Sequence, residues 1–135
     1  MTLPSGLPED VDGSEELARF LYTDRQIKGG NVAAAAFMPH PVDLETSVSR
    51  RAHCTDSDLC AIGRSRRSGA NLHGVALVSA GDVRMCSIDV EAAEPPDFHA
   101  VLLSWPVVSG DSVATKAMQM EKAVTIASKA AVIAA

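Results

Sequence analysis

Two serines, one arginine and two histidines are the side chains of this sequence with the clearest capacity for chemistry. Ser47, Ser49 and Arg50 lie in one short segment, and His73 and His99 each stand at the start of an apolar run. Histidine moves protons near neutral pH, guanidinium pairs with phosphate or carboxylate, and a serine hydroxyl donates or accepts a hydrogen bond. If the carrying elements are neighbours, these five residues form a rim suited to a phosphate-bearing ligand. The alternative for His99 is structural, as a hydrogen-bonded histidine at a strand end.

The segment from residue 50 to residue 73 is the most basic part of an acidic chain. It holds five arginines, two histidines and two acids, whereas the whole chain has a net charge of −5. Such a segment is either a solvated surface loop or an anion-binding segment, and the sequence leaves both interpretations open. Its arginines are Arg50, Arg51, Arg64, Arg66 and Arg67.

Zinc binding is a third hypothesis. Its nitrogen and sulfur ligands would be His53, Cys54, Cys60 and His73, but their spacing matches no CxxC or HxxxH arrangement. We therefore expect no metal site and no cofactor. The three cysteines cannot all pair within one chain, and no secretory segment opens the sequence, so we expect reduced thiols in a cytoplasmic protein.

The common sequence motifs of nucleotide-binding loops, serine hydrolases and zinc peptidases are absent. The His73-Gly74 step, with His99 on a later strand, is similar in outline to the RNA 2′-phosphotransferase branch of the ADP-ribosyltransferase fold. In that branch a His-Gly step and a later histidine-bearing strand line the NAD site. The chain lacks the branch's paired His-Arg motif and its His-x-His, because Ala100 and Val101 follow His99. The outline leaves an enzyme open and implies no family membership.

The order of the helices and strands predicted to carry these residues indicates an α+β fold. We expect a small, mostly antiparallel sheet of four to five short strands, with a long C-terminal helix and shorter helices packed on it. Residues 1–13 hold two prolines and two glycines and are predicted to be a flexible leader, so that residues 14–135 form one globular domain. The predicted strands are 32–38, 44–50, 72–78, 85–90 and 99–105.

Four helices are predicted. Ser14 with two following acids, and Leu17, Phe20 and Leu21 at helical spacing, predict a helix from 14 to 24. Thr55 and Ser79 are the expected N-caps of two shorter helices. In the long C-terminal helix the residues repeating at steps of four and three predict the buried face: Val113, Ala117, Met120, Val124, Ala127, Ala131 and Ala134. In the strand at 99–105, we expect Val101, Leu103 and Trp105 on one face and Leu102 on the other.

Composition narrows the function without identifying it. Hydrophobic residues make up 47% of the chain and 21 positions are alanine, which is typical of a folded domain with a closely packed core. We do not expect a nucleic acid or a membrane as partner. The preferred hypothesis is a non-catalytic module that binds a partner protein or a second copy of itself. The alternative is a small enzyme or binding domain for a phosphate-containing, nucleotide-like ligand at the rim.

Overall fold

The computed structural model describes all 135 residues and has a six-stranded sheet at its centre. The strand order is β6-β7-β4-β1-β5-β8, and every neighbouring pair is antiparallel. The α+β class and the antiparallel sheet are thus confirmed, but the sheet is larger than the four to five strands predicted. In chain order the elements are β1 (Glu16–Leu21), β2 (Ile27–Lys28), β3 (Asn31–Val32), β4 (Thr46–Arg50), α1 (Asp56–Arg66), β5 (Gly74–Ser79), α2 (Ala80–Arg84), β6 (Asp89–Ala92), β7 (His99–Leu103), α3 (Ser112–Lys129) and β8 (Ala131–Ala134).

The two faces of the sheet are covered differently. The face carrying Leu17, Val48 and Leu102, here called the core face, packs into a cluster of 19 buried residues that includes Ala123 and Ile126 of α3. The opposite face, here called the cavity face, has a cluster of six, formed by β1, β5 and α1. No helix contributes to that face over β4 and β7, which leaves room for a cavity there.

Helix α1 packs on the cavity face. Its N-cap determines where the helix begins, and a glycine allows it to approach the sheet closely. Thr55 is the N-cap, as predicted: its hydroxyl accepts from the amide of Asp58 at 3.1 Å, and the Asp58 carboxylate accepts from the amide of Thr55 at 3.0 Å. Gly63 allows close approach to β1, since a Cβ there would lie 2.7 Å from the ring of Phe20. The helix ends with its arginines beside the open half of this face.

The predicted helix at 14–24 is wrong, because β1 occupies that segment. Leu17 and Leu21 face one cluster while Ala18 and Phe20 face the other, so both sides of this inner strand are buried. A strand buried on both faces shows no polar alternation, and its apolar residues then also fit helical spacing. Pairing with β4 and β5 outweighs the local helix signals.

Three further segments differ from prediction. The strand expected at 85–90 begins only at Asp89, because residues 85–87 form a turn after α2. Of the expected strand at 32–38 only Val32 is in a strand, and Ala34–Phe37 forms a 3₁₀ turn whose Ala36 and Phe37 are buried. The long helix ends at Lys129, and the remaining alanine-rich residues form β8 along the edge of β5. This is the sixth strand, and alanine's preference for helices concealed it.

The buried faces of α3 and β7 also need correction. The buried residues of α3 are Gln119, Ala123 and Ile126, so the predicted stripe lies to one side of the buried face: Val113, Ala117 and Val124 are exposed, and Ala127 is only partly buried against the core cluster. Trp105 joins Leu102 in the core-face cluster instead of sharing a face with Val101 and Leu103. The reason is Ser104, whose φ of +66° breaks the strand alternation just before the tryptophan.

Candidate anion-binding cavity

A cavity of about 510 Å³ lies on the cavity face of the sheet. Its floor includes Ser47 and Ser49 of β4 and His99 of β7, and the end of α1 forms one wall. The charged side chains of the lining are Arg19, Arg66 and Arg67, and no carboxylate is among the lining residues. Such a lining favours an anion.

Arg19 has the strand parity of Leu17 and Leu21 on the core face, and it reaches the cavity lining through the gap where β1 and β4 separate. The two strands pair only at their Leu17 and Ala18 end, and beyond it the Arg19 guanidinium bridges them. It donates to the carbonyl oxygens of Ala36 at 2.8 Å and Ser47 at 3.0 Å. Burial, with a smaller effect of nearby Arg67, lowers the Arg19 pKa, while Tyr22 raises it. Two carbonyls orient this guanidinium, and no acid neutralises it.

Arg66 and Arg67 close the cavity from the end of α1. Arg66 donates to the carbonyl of Asp97 at 2.8 Å, which joins the helix to the loop before β7. The Arg67 guanidinium lies 5.2 Å from the centroid of the Tyr22 ring. The ion pairs of the structure involve His40, Arg50 and Arg51, and none of them includes a lining arginine.

Gln26 and Tyr22 add neutral polar groups to the lining. The side-chain oxygen of Gln26 accepts from the amides of Tyr22 at 2.8 Å and Thr23 at 3.2 Å, so its NH₂ group remains available as a donor. The Tyr22 hydroxyl donates to the carbonyl of Gly63 at 2.7 Å. Burial raises the pKa of Tyr22 more than the neighbouring arginines lower it, so it remains a neutral phenol at physiological pH.

Ser49 and His99 are direct partners on adjacent strands. The amide of Arg50 donates to the carbonyl of Phe98 at 2.7 Å, which makes Ser49 and His99 a non-hydrogen-bonded pair, the closer of the two antiparallel pairings. The His99 Nδ1 lies 2.9 Å from the carbonyl oxygen of Ala93. Ser49 is 2% exposed, and its hydroxyl is the one buried side-chain polar atom with no hydrogen-bond partner.

The structure brings together three of the five predicted rim residues: Ser47, Ser49 and His99. Arg50 lies on the core face, where its guanidinium pairs with both carboxylate oxygens of Glu15 at 2.9 Å. Consecutive residues of a strand point to opposite faces, so Arg50 cannot share a face with its neighbour Ser49. The predicted rim therefore loses Arg50, whose guanidinium is occupied by an acid 35 residues away in the chain.

His73 is also outside the cavity. It is exposed, and its amide donates to the carbonyl of Leu21 at 2.7 Å, at the far end of β1. His99 pairs with Ser49, which in turn pairs with Ala18, so it lies near the other end of the sheet. Two strands, β4 and β1, separate β7 from β5. His73 and His99, on which the similarity to the RNA 2′-phosphotransferase branch depends, therefore do not share a site.

Sequence reasoning missed Arg19, Tyr22 and Gln26, and it saw Arg66 and Arg67 only as part of a basic segment. One signal was available: Arg19 interrupts the apolar Leu17–Leu21 run, and an arginine inside a central strand needs partners. The approach of α1 to β4 and β7 depends on tertiary packing, which no local pattern encodes.

The hypothetical zinc ligands do not converge, and no group of three or more His, Cys, Asp or Glu side chains could hold a metal ion. Cys60 packs in the cluster under α1. Burial and the nearby Asp58 carboxylate raise the pKa of Cys54, which disfavours its thiolate.

Comparisons with protein-family models, curated proteins and solved structures give no match to this chain. None of the three helices combines the length and apolarity that crossing a bilayer requires.

Proposed function

We propose that this domain binds a small phosphate-bearing molecule in the cavity. The observation that carries the proposal is the lining itself, which has three arginines, a free amide NH₂ and two serine hydroxyls, and no carboxylate. Arginine's fork of N–H donors matches the oxygens of a phosphate group. A ligand with several acceptor oxygens and negative charge satisfies such a lining best.

The size of the cavity favours an organic phosphate over free phosphate. A volume of about 510 Å³ lies within the range of pockets that bind drug-sized molecules, roughly 300–1,000 Å³. Phe20, Tyr22 and Pro96 add apolar surface beside the arginines. We infer that the phosphate occupies the arginine end and that an organic group of nucleotide size lies against this surface.

The charge of the chain favours a small ligand over a nucleic acid. The net charge is −5, and Arg50 and Arg51 are already paired with acids. Binding of a long polyanion needs a continuous basic surface along its backbone. A positive cavity within an acidic protein suits a ligand that fits inside it.

Isothermal titration with inorganic phosphate, a mononucleotide and a short RNA tests the proposal. We expect the mononucleotide to bind most tightly, and Arg67→Ala to weaken it about tenfold to a hundredfold, as expected for loss of a charged hydrogen bond of roughly 1.5–3 kcal/mol. Arg64→Ala is the matched control, because Arg64 is an exposed arginine of the same helix outside the lining. Absence of heat with phosphate and mononucleotide, or equal losses in both variants, would overturn the proposal.

Protein interaction, the hypothesis preferred from sequence, stays a second candidate. Its support is the outward face of α3, where Val113 is 79% exposed, Val124 53% and Met118 44%. A second copy of the chain is the partner we would test, by light scattering over a range of concentrations. A constant monomer mass in the wild type would count against self-association, and an oligomer lost in Val113→Asp would support it.

A further inference from the structure

We propose that Ser49 and His99 form a nucleophile–base pair that hydrolyses small carboxylic esters carrying a negative charge. This activity goes beyond ligand binding and relies on the proposed function only for the charge of the substrate. Three observations support it: the cross-strand pairing of the two residues, the hydrogen bond that orients the histidine, and the unpartnered serine hydroxyl.

The strand register holds the two side chains side by side. In a non-hydrogen-bonded antiparallel pair the Cα atoms are about 4.5 Å apart, and both side chains project from the same face. Ser49 and His99 are such a pair, fixed by the Arg50-to-Phe98 hydrogen bond next to them. Rigid strands, rather than mobile loops, therefore position both groups.

The histidine is oriented for accepting a proton. With Nδ1 at 2.9 Å from the Ala93 carbonyl, which can only accept, Nδ1 carries the hydrogen of the neutral ring. Nε2 then has the lone pair. A base held by a third group and adjacent to a hydroxyl is the arrangement that activates serine nucleophiles.

The serine hydroxyl has no hydrogen-bond partner in the fold. Ser49 is a lining residue of the cavity, and its oxygen is buried and makes no hydrogen bond, which costs free energy that an alanine at this position would not. A buried unpartnered polar group calls for an explanation, and catalysis is one of the recognised ones. Serine–histidine hydrogen bonds are often long in empty sites and tighten when substrate binds.

The reaction balances with water as the only co-reactant. Ser49 Oγ attacks the ester carbonyl carbon, its proton passes to Nε2, and the carbonyl electron pair moves to oxygen. When the pair returns, the C–O bond to the alcohol breaks, and the alcohol leaves with the proton from Nε2. Water then attacks the acyl-serine carbon, giving its proton to Nε2. Release of the acid returns that proton to Ser49.

Carboxylic esters suit this site better than phosphate esters. In acyl transfer a single histidine serves both proton transfers, because nucleophile and leaving group use the same side of the tetrahedral carbon. In-line phosphoryl transfer needs a proton donor opposite the nucleophile. The lining offers one histidine and no carboxylate, and the phenol of Tyr22, its other acidic group, already donates its proton to the carbonyl of Gly63. Arg66 and Arg67 would select an ester whose acyl part carries a negative group.

A fluorophosphonate probe and two p-nitrophenyl esters test the inference with the full chain. The probe reacts at a nucleophilic serine by forming an O–P bond and releasing fluoride, and peptide mass spectrometry identifies the serine. We expect label on Ser49, and faster hydrolysis of p-nitrophenyl glutarate, an anionic ester, than of the neutral acetate. Ser49→Ala should abolish labelling and lower hydrolysis at least about a hundredfold, in line with the typical contribution of a catalytic proton transfer or nucleophile. Ser65→Ala and His53→Ala, exposed and outside the lining, should leave both readouts unchanged.

Circular dichroism and the thermal midpoint show whether each variant folds, and Ser49→Ala should fold normally because it removes an unpartnered hydroxyl. If His99→Gln fails to fold, the labelled residue in the wild type still decides the question. Label elsewhere, no label, or hydrolysis that survives Ser49→Ala would overturn the inference. If the esterase inference fails but the mononucleotide binds, the proposed function stands. If Ser49 is labelled but no nucleotide binds, only the proposed function is overturned.

Discussion

Ser49 and Arg50 are neighbours in the chain and lie on opposite faces of the sheet. The side chain of Arg50 has hydrogen-bond partners, whereas that of Ser49 has none. Arg50 is fully buried, and it donates to both oxygens of Glu15 and to the carbonyl of Pro8 at 2.7 Å. Ser49 is equally buried, and its hydroxyl has no partner. On the core face the fold satisfies its buried polar group, whereas on the cavity face it leaves one unsatisfied.

The same contrast separates the arginines. Arg50 is held by a carboxylate and connects the N-terminal segment to the sheet, so its charge is used within the fold. Arg67 contacts an aromatic ring and no acid, so its charge is available to a ligand. The difference shows that residue type alone does not separate a structural arginine from a binding one, because the acceptors around the guanidinium decide which it is.

The largest expected effect comes from removing Arg50, the residue of this comparison whose polar group is hydrogen-bonded. Arg50→Ala should destabilise the protein by about 3 kcal/mol, the lower end of the range for breaking a buried ion pair, because Arg50 is fully buried whereas the Glu15 carboxylate left unpaired is 22% exposed. If Arg50 were a rim residue, as the sequence predicts, the same variant would weaken phosphate binding and hardly change stability. Urea denaturation followed by Trp105 fluorescence measures the loss.

Arg51→Ala is the matched control for this variant. Arg51 is partly exposed, and its ion pairs with Glu16 at 3.6 Å and Asp56 at 2.7 Å lie near the surface. Such pairs contribute roughly 0–1 kcal/mol, so the control should lose far less stability. Similar losses in the two variants would show that Arg50 is not the buried partner described here.

A second comparison of the two faces uses adjacent leucines of β7. Leu102 is fully buried on the core face, whereas Leu103 is only partly buried on the cavity face. Leu102→Ala should cost about 2–5 kcal/mol because it leaves a cavity in a packed core. Leu103→Ala should cost roughly 1 kcal/mol, since it loses only part of its transfer free energy. Denaturation midpoints of the two variants check the order, and a reversed order would mean that the strand register is wrong.

Local signals were predictable from the sequence, and long-range arrangements were not. Thr55 and Ser79 were recognised as N-caps because the residues that satisfy a helix start lie within one turn of it. β1 was mistaken for a helix, since only its pairing with β4 and β5 makes it a strand. β8 was hidden in an alanine-rich segment for the same reason.

The site followed the same division. Ser47, Ser49 and His99 were predicted to lie together, and they share the cavity lining, because strand positions and residue types are visible in sequence. Arg19 and Arg67 join them only through the gap between β1 and β4 and the docking of α1. Both features come from contacts between residues far apart in the chain, so periodicity and spacing carry no record of them.

The N-terminal segment connects the two sides of the comparison. On the core face Val11 is buried and Arg50 holds the carbonyl of Pro8. Towards the cavity, the amide and hydroxyl of Ser5 donate to the Glu94 carboxylate, in the loop that precedes His99. Flexibility of residues 1–13 stays a prediction, and these attachments would limit it together with the hydrogen bond from the amide of Gly81 to the carbonyl of Gly13 at 2.8 Å.

The Glu94 attachment predicts a pH dependence, which is the smallest effect expected. The hydrogen bond from the Ser5 hydroxyl, more than those from the amides of Ser5 and Phe98, lowers the pKa of Glu94 below its ordinary value of 4.5. A carboxyl with a lowered pKa in the folded state stabilises the fold fully above 4.5, and it loses this contribution as the pH falls through the lowered pKa. Glu94→Gln should therefore lower the thermal midpoint at pH 7, and the difference from the wild type should shrink as the pH falls below 4.5. Glu91→Gln is the control, because exposed Glu91 makes no side-chain hydrogen bond or ion pair. A Glu94→Gln difference that stays constant from pH 7 to pH 3 would show that the Ser5 contact does not hold the N-terminal segment to this loop.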